Sequence, residues 1–167
     1  IVRTKTNNAD GSSIERTMTM MQPGAVTEMV RETLKNGTIT DTKKVVKANG
    51  DYSQEITKTS TSGKKNIVVD KEVGSVLTSA YYTVSSGKSV IVEKMETSAK
   101  KQTLSIPKTI HANGEDYKVT AIAAKAFKDN TKITKVTIGS NMKTIGQKAF
   151  QGNKKLKKIV IRSSNVT

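Results

Sequence analysis

The chain has 167 residues, a formal net charge of +15, a single histidine, and neither cysteine nor tryptophan. Without cysteine there are no disulfides, thiolate metal sites or cysteine nucleophiles, and no apolar run approaches the roughly 18 residues of a membrane-spanning helix. Apolar residues make up 34% and aromatic residues 4%, so thin layers in which each unit packs on its neighbours are expected in place of one thick core. Because the sequence opens on Ile1, a processed or partial chain is expected.

Glycine sets the first elements. Gly11, Gly24, Gly37, Gly50 and Gly63 recur every 13 residues, and Gly74 and Gly87 follow. The first four close "NADG", "QPG", "KNG" and "KANG", all turn-marking contexts. Between the glycines lie "TITDTKKVV", "SQEITKTS" and "VLTSAYYTV", rich in residues that fit a pleated sheet. A unit of this length holds one strand and a short turn, which predicts an antiparallel meander of hairpins over residues 1–100. "VTEMVRETL" at 26–34 reads equally as a strand or a helix, since Val26, Val30 and Leu34 share a helical spacing. Glu15, Glu28, Asp41 and Gln54 each stand four residues after a glycine. Calcium needs roughly six to eight converging oxygens, and antiparallel strands spread such a column apart, so a solvated face is expected there and not a metal site. Poor alternation predicts a sheet wet on both faces, or one covered by something outside the chain. Tyr81 and Tyr82 would point to opposite faces of a strand, at least one of them into a core.

Beyond residue 100, "LSIPKTI" at 104–110 is followed by a polar insertion, "HANGED", and then by "AIAAKAFKDNTKITKVTI" (121–138) and "TIGQKAFQGNKKLKKIVI" (144–161). Ile122, Ala126, Phe127, Ile133, Val136 and Ile138 return as Ile145, Ala149, Phe150, Leu156, Ile159 and Ile161, each 23 residues later. The last apolar pair of each unit alternates as a strand does, and Ile122 to Phe127 has the spacing of a single helical turn. Each unit is therefore predicted to be a strand plus a tight helical turn. Stacked units would pair their strands in parallel, line up the phenylalanines in a ladder and bury these twelve side chains.

Little of the sequence carries reactive chemistry. His111 sits in the polar insertion beside Glu115 and Asp116 and has no sequence neighbours that would make a nucleophilic triad. Phosphate-cradling glycine motifs are absent from the sequence. A non-enzymatic chain that needs no cofactor or metal is expected. The charge, by contrast, is strongly uneven: basic side chains outnumber acidic ones by eight to five over residues 1–50, seven to six over 51–100 and fourteen to three over 101–167. Lys132, Lys135, Lys154, Lys155, Lys157 and Lys158 crowd the strand ends of the two repeats, and the repeat offset sets Lys135 beside Lys158. They form a candidate patch for phosphate- or sulfate-bearing polymers. Sequence-specific nucleic acid is not expected, because stacking aromatics are scarce.

The units, written Ile-x-x-x-Ala-Phe, a small polar turn, then Leu-x-x-Val-x-Ile, resemble the BspA-like class of leucine-rich repeat over residues 102–162. "IPKTI" followed by "YKVTAI" resembles the way such arrays open, although Gly139 and Arg162 stand where proline is usual. The resemblance implies a mainly β chain that ends in a short leucine-rich-repeat solenoid: residues 1–100 as the meander, and residues 101–167 as an imperfect opening unit plus two full ones. No core is expected to be shared between these parts beyond the junction near residues 98–104, so the two should be separable. The resemblance further implies a secreted or surface-attached bacterial interaction module, adhesive toward proteins or other cells, and the lysine patch adds an anionic polymer on a host or bacterial surface as a partner. The alternative is a structural spacer or stalk within a larger surface protein.

Overall fold

The computed structural model describes residues 1–21, 24–100 and 102–167. Gln22 and Pro23, half of the expected Pro-Gly turn, lie outside them, as does Lys101. Eight strands come first: β1 (Val2–Asn7), β2 (Ser13–Met21), β3 (Ala25–Thr33), β4 (Ile39–Val46), β5 (Tyr52–Thr59), β6 (Lys65–Val73), β7 (Val76–Ser86) and β8 (Ser89–Thr97). Each pairs antiparallel with the next. Then come β9 (Gln102–Ile106), β10 (Thr109–Ala112), β11 (Glu115–Ile122), β12 (Ile133–Ile138), β13 (Thr144–Ile145) and β14 (Lys158–Ile161). No helix occurs among the described residues.

The meander is a product of its turns. At Gly11, Gly37, Gly50 and Gly63 the glycine N–H donates to the carbonyl three residues back, at 2.8 to 3.1 Å, and φ lies between +78° and +85°. A type I turn closed by a left-handed residue is a short hairpin connection that glycine alone adopts without strain. Strands of eight or nine residues between such turns give the 13-residue period. Residues 26–33 of this stretch are thereby fixed as strand, since β3 is hydrogen-bonded on both sides, to β2 and to β4, and Leu34 opens the turn that follows.

Strands β1 to β4 contain no buried residue. This part is a single layer without a core of its own, held by cross-strand pairs and touched on one face by the tip of the β10–β11 hairpin at Asp41. One row runs from Lys5, ion-paired to Glu15 at 2.7 Å, through Arg31, directly opposite Glu15, to Asp41. Arg31 grips Asp41 with two bonds of 2.6 and 3.1 Å. The carboxylate column divides as the antiparallel register requires: Glu15 and Asp41 share this row, whereas Glu28 and Gln54 flank Lys44 in another. From β5 onward one face is covered. Thr57, Ile67, Ala80, Tyr82, Val90 and Val92 are buried there, while Tyr81 lies on the opposite face beneath Lys94.

Three departures from expectation concern the C-terminal part. First, the turns are not helical. Ala126 and Lys128 donate to the carbonyls three residues back, but Lys125, Phe127 and Asp129 between them donate to Gln147, Ala149 and Gln151 of the following unit. A helix bonds successive N–H groups within itself once past its first turn; here alternate N–H groups tie one unit to the next. Second, the halves are not independent. β8 pairs in parallel with β11, so one hydrogen-bonded sheet runs from β1 to β8 and on through β11 to β10, with β13 also on β11. Ile67, Ala80, Tyr82, Val90 and Val92 belong to the same apolar cluster as Val119, Ile122, Phe127 and Val136. The expectation of separate cores fails because β8 lacks the Ala-Phe signature yet occupies the sheet position that β11 and β13 occupy in the units after it. Third, the inward-facing core stops short of its last strand, β14, where Ile159 and Ile161 are exposed.

Candidate interaction surface

β9, β12 and β14 form a second sheet, parallel throughout, in the order β14-β12-β9. Alternation divides it cleanly. Leu104, Ile106, Val136 and Ile138 are buried on one face, and Thr103, Ser105, Lys135 and Lys158 are exposed on the other. Lys135 and Lys158 are direct cross-strand partners, as the 23-residue offset requires. Lys154, Lys155 and Lys157 are exposed in the segment leading into β14, where the Lys157 N–H donates to the Thr134 carbonyl at 2.9 Å. Lys132 is exposed too, but its Nζ donates to the Thr97 carbonyl at 3.0 Å, which ties it to the end of β8 and away from the other five.

The predicted repeat core is placed in two groups. Ile122, Phe127, Ile133, Val136, Ile138 and Ala149 are buried, and Ala126, Ile145, Phe150 and Leu156 pack half-buried against them. Phe127 and Phe150 stack with ring centroids 5.2 Å apart and planes 7° apart. Ile159 and Ile161 correct the expectation: they are 44% and 45% exposed. They continue the inner face from Val136 and Ile138, but β14 is the outer strand of its sheet, and among the described residues no strand pairs with its other edge.

Two polar features have no counterpart in the sequence reading. Asn130 and Asn153, also 23 residues apart, sit at the inner bend before the second strand of their units. Asn130 Oδ1 accepts the N–H groups of Lys132 and Ile133, at 2.8 and 3.0 Å. Asn153 Oδ1 reaches back one unit to accept the Asn130 N–H at 3.0 Å. Their repeat spacing is the signal that could have found them. The other feature is the insertion: β10 and β11 form a hairpin whose tip crosses the meander, so that Asn113 Nδ2 donates to Asp41 at 3.2 Å. Nothing local in sequence marks a contact 72 residues long. His111 lies exposed on this hairpin, paired with Asp116 at 2.8 Å. Next to it Lys88 bonds Glu115, which raises the lysine and lowers the carboxylate from their ordinary pKa values. Among the described residues no group of His, Cys, Asp and Glu side chains is arranged to hold a metal.

A family model described as BspA type leucine rich repeat region, in 6 copies, matches residues 59–167, well over half of the chain. The chain belongs to the BspA-type leucine-rich repeat family. The repeat region therefore begins some forty residues before residue 102, where the resemblance starts, in keeping with β8 and β9 pairing in parallel with β11 and β12 as a preceding unit. Three solved structures are similar to this BspA-type chain. A leucine-rich repeat protein from Bacteroides ovatus is 26% identical over 48% of this chain and 21% of its own, with a TM-score of 0.45. One from Bacteroides capillosus is 22% identical over 55% and 64%, with a TM-score of 0.44. A leucine-rich cell surface protein from Faecalibacterium prausnitzii is 20% identical over 56% and 23%, with a TM-score of 0.44. The chain thus spans between 21% and 64% of the length of these proteins. No curated protein matches it.

Proposed function

We propose that the chain is a non-enzymatic interaction module of a bacterial surface or secreted protein, whose basic repeat face engages an anionic polymer or an acidic protein surface. In this reading residues 101–167 act as a short solenoid and residues 1–100 as its β-rich approach, although β8 belongs structurally to both. Family membership supports the setting, since BspA-type repeats occur mostly in secreted or wall-attached proteins. The observation that carries the binding role is the cross-strand pairing of Lys135 with Lys158 on an exposed sheet face, flanked by Lys154, Lys155 and Lys157 in a region with fourteen basic and only three acidic residues. Two ammonium groups side by side on an exposed face give one anionic polymer two points of contact. Broad sheet faces also suit polymers and proteins better than small molecules.

The test is binding of heparin or teichoic acid to the intact chain against its Lys135→Glu, Lys155→Glu, Lys158→Glu triple variant. Binding by the parent should fall steeply with salt and vanish in the variant, because charges separated by more than a Debye length of about 8–10 Å are screened. Thermal stability should barely change, since exposed charges contribute little to folding. Undiminished binding by the variant would move the contact elsewhere. A parent that binds neither polymer at low salt would favour the second reading, a spacer segment. The coreless layer of β1 to β4, with no buried residue, is the observation on that side.

A further inference from the structure

We propose that Asn113 is a site of spontaneous deamidation, and that its product releases the β10–β11 hairpin from the meander. Three Asn-Gly pairs occur in the chain: Asn36-Gly37, Asn49-Gly50 and Asn113-Gly114. In such a pair the glycine nitrogen, unshielded by a Cβ, attacks the side-chain amide carbon of the asparagine. That attack requires the glycine N–H to be free. The Gly37 and Gly50 N–H groups are engaged, donating to the Leu34 and Lys47 carbonyls at 2.8 and 3.0 Å. Their side-chain amides are held by the carbonyl oxygen, Asn36 Oδ1 accepting the Thr38 N–H at 3.0 Å and Asn49 Oδ1 the Asp51 N–H at 3.1 Å, whereas that of Asn113 is held through Nδ2. The Gly114 N–H has no acceptor among the described residues. Asn113 and Gly114 are both exposed, and nothing lies within 4 Å of the point where a Cβ on Gly114 would stand.

The step balances without a co-reactant other than water. Gly114 N loses its proton to solvent and bonds to Asn113 Cγ. The Cγ–Nδ2 bond breaks, and ammonia leaves with the returned proton. Water then opens the five-membered imide at one of its two carbonyls, giving aspartate or isoaspartate. Either product changes the latch. Asn113 Nδ2 is the donor to Asp41 Oδ2, and replacing it by a carboxylate sets two like charges together where a hydrogen bond had been. Isoaspartate also lengthens the main chain inside a two-residue turn whose residues stand at φ +51° and +77°, a geometry that fixes the register of the flanking strands. The tip roofs a cleft of about 400 Å³ against the sheet, lined by Arg31, Asp41, Lys43 and Glu55. Glu55 Oε2 is buried there with no protein hydrogen-bond partner among the described residues, so release of the tip would open this carboxylate to solvent.

Two measurements test this on the full chain. The protein is held in mildly alkaline buffer at physiological temperature and mapped by peptide mass spectrometry for the gain of one water less one ammonia. Asn113 should convert several-fold faster than Asn36 and Asn49. Conversion at either of those as fast as at Asn113, or none at Asn113, overturns the proposal. In the second, hydrogen exchange of Asn113→Asp is compared with that of the parent. Amides of the β10–β11 hairpin and of β4 around Asp41 should exchange several-fold faster, the stacked turns around Phe127 should be unchanged, and adding Asp41→Asn should restore most of the protection. Unchanged exchange in the hairpin, or no restoration in the double variant, rules out release by charge.

Discussion

A methyl group added at Gly146 would fall on the backbone of Ala123 and Ala124 in the preceding unit, and one at Gly139 would stand 2.5 Å from the Lys108 nitrogen. Both glycines lie where successive units touch: Gly146 N–H donates to the Ile122 carbonyl and Gly139 N–H to that of Ile106. Gly139 occupies a position where proline is usual in related repeats, and a proline there would forfeit that bond. Gly146→Ala should destabilise the chain by about 2–3 kcal/mol through overpacking against rigid backbone. Gly50→Ala meets nothing within 4 Å but stands at φ +85°, and should cost about 1–2 kcal/mol from backbone strain alone. Denaturant melts of the two variants check the order; equal losses would mean that the repeat contact yields easily. Tyr82 offers a titration. Burial pushes its hydroxyl up to about 12, and the residue is only 3% exposed. A raised folded pKa means stability that is whole below the unfolded value, about 10, and is lost as pH climbs from there through 12, on the order of 3 kcal/mol in all. Tyr82→Phe should flatten that alkaline decline, and pH-dependent melts of the two proteins would show it.

At the scale of elements, the stacked turn is the unit of cohesion. Phe127 is 3% exposed and Phe150 half-buried against it, so truncation to alanine should cost about 3–5 kcal/mol at Phe127 and roughly half as much at Phe150. The pair should couple by about 0.5–1.5 kcal/mol in a double-mutant cycle because the rings stack at 5.2 Å. Strict additivity in denaturant unfolding would deny the ladder. How much of this is legible in the sequence depends on how local each cause is. The 13-residue glycine spacing reads directly into turns, since the conformation it demands belongs to one residue. The 23-residue repeat likewise reads into the Lys135–Lys158 register. The helical turn is a misreading with a physical source: spacing from Ile122 to Phe127 cannot tell a chain that bonds to itself from one that bonds to the next unit. Parallel pairing of β8 with β11 and the reach of Asn113 to Asp41 are illegible for a related reason. Neither leaves a mark in the residues near it, and each closes a loop over a partner far along the chain. Exposure of Ile159 and Ile161 depends on whether another strand stacks on β14, which the two residues themselves do not encode.

Across the whole molecule, burial is one-sided. Among the described residues all of the buried hydrophobic side chains lie between Ile67 and Ala149, whereas β1 to β4 hold together by ladder hydrogen bonds and cross-strand pairs. A single solvated layer opens strand by strand from its free edge, while a packed cluster opens only as a unit. Hydrogen exchange should therefore be fastest in β1, slow progressively toward β5, and be slowest in β8, β11 and β12. The same distribution says where the chain divides. A cut before residue 101 would strip Ile67, Ala80, Tyr82, Val90 and Val92 from the shared cluster and leave β11 without its β8 partner, exposing Val119 and Ile122. A cut before residue 59, where the BspA-type region begins, removes no buried apolar side chain and leaves one sheet edge at β6. Residues 59–167 alone are accordingly expected to unfold in one cooperative transition, and residues 101–167 alone to lack one. Circular dichroism melts of the two fragments decide the matter: a cooperative transition in the shorter fragment would restore a boundary at residue 101 and reduce the β8–β11 pairing to a contact between independent units.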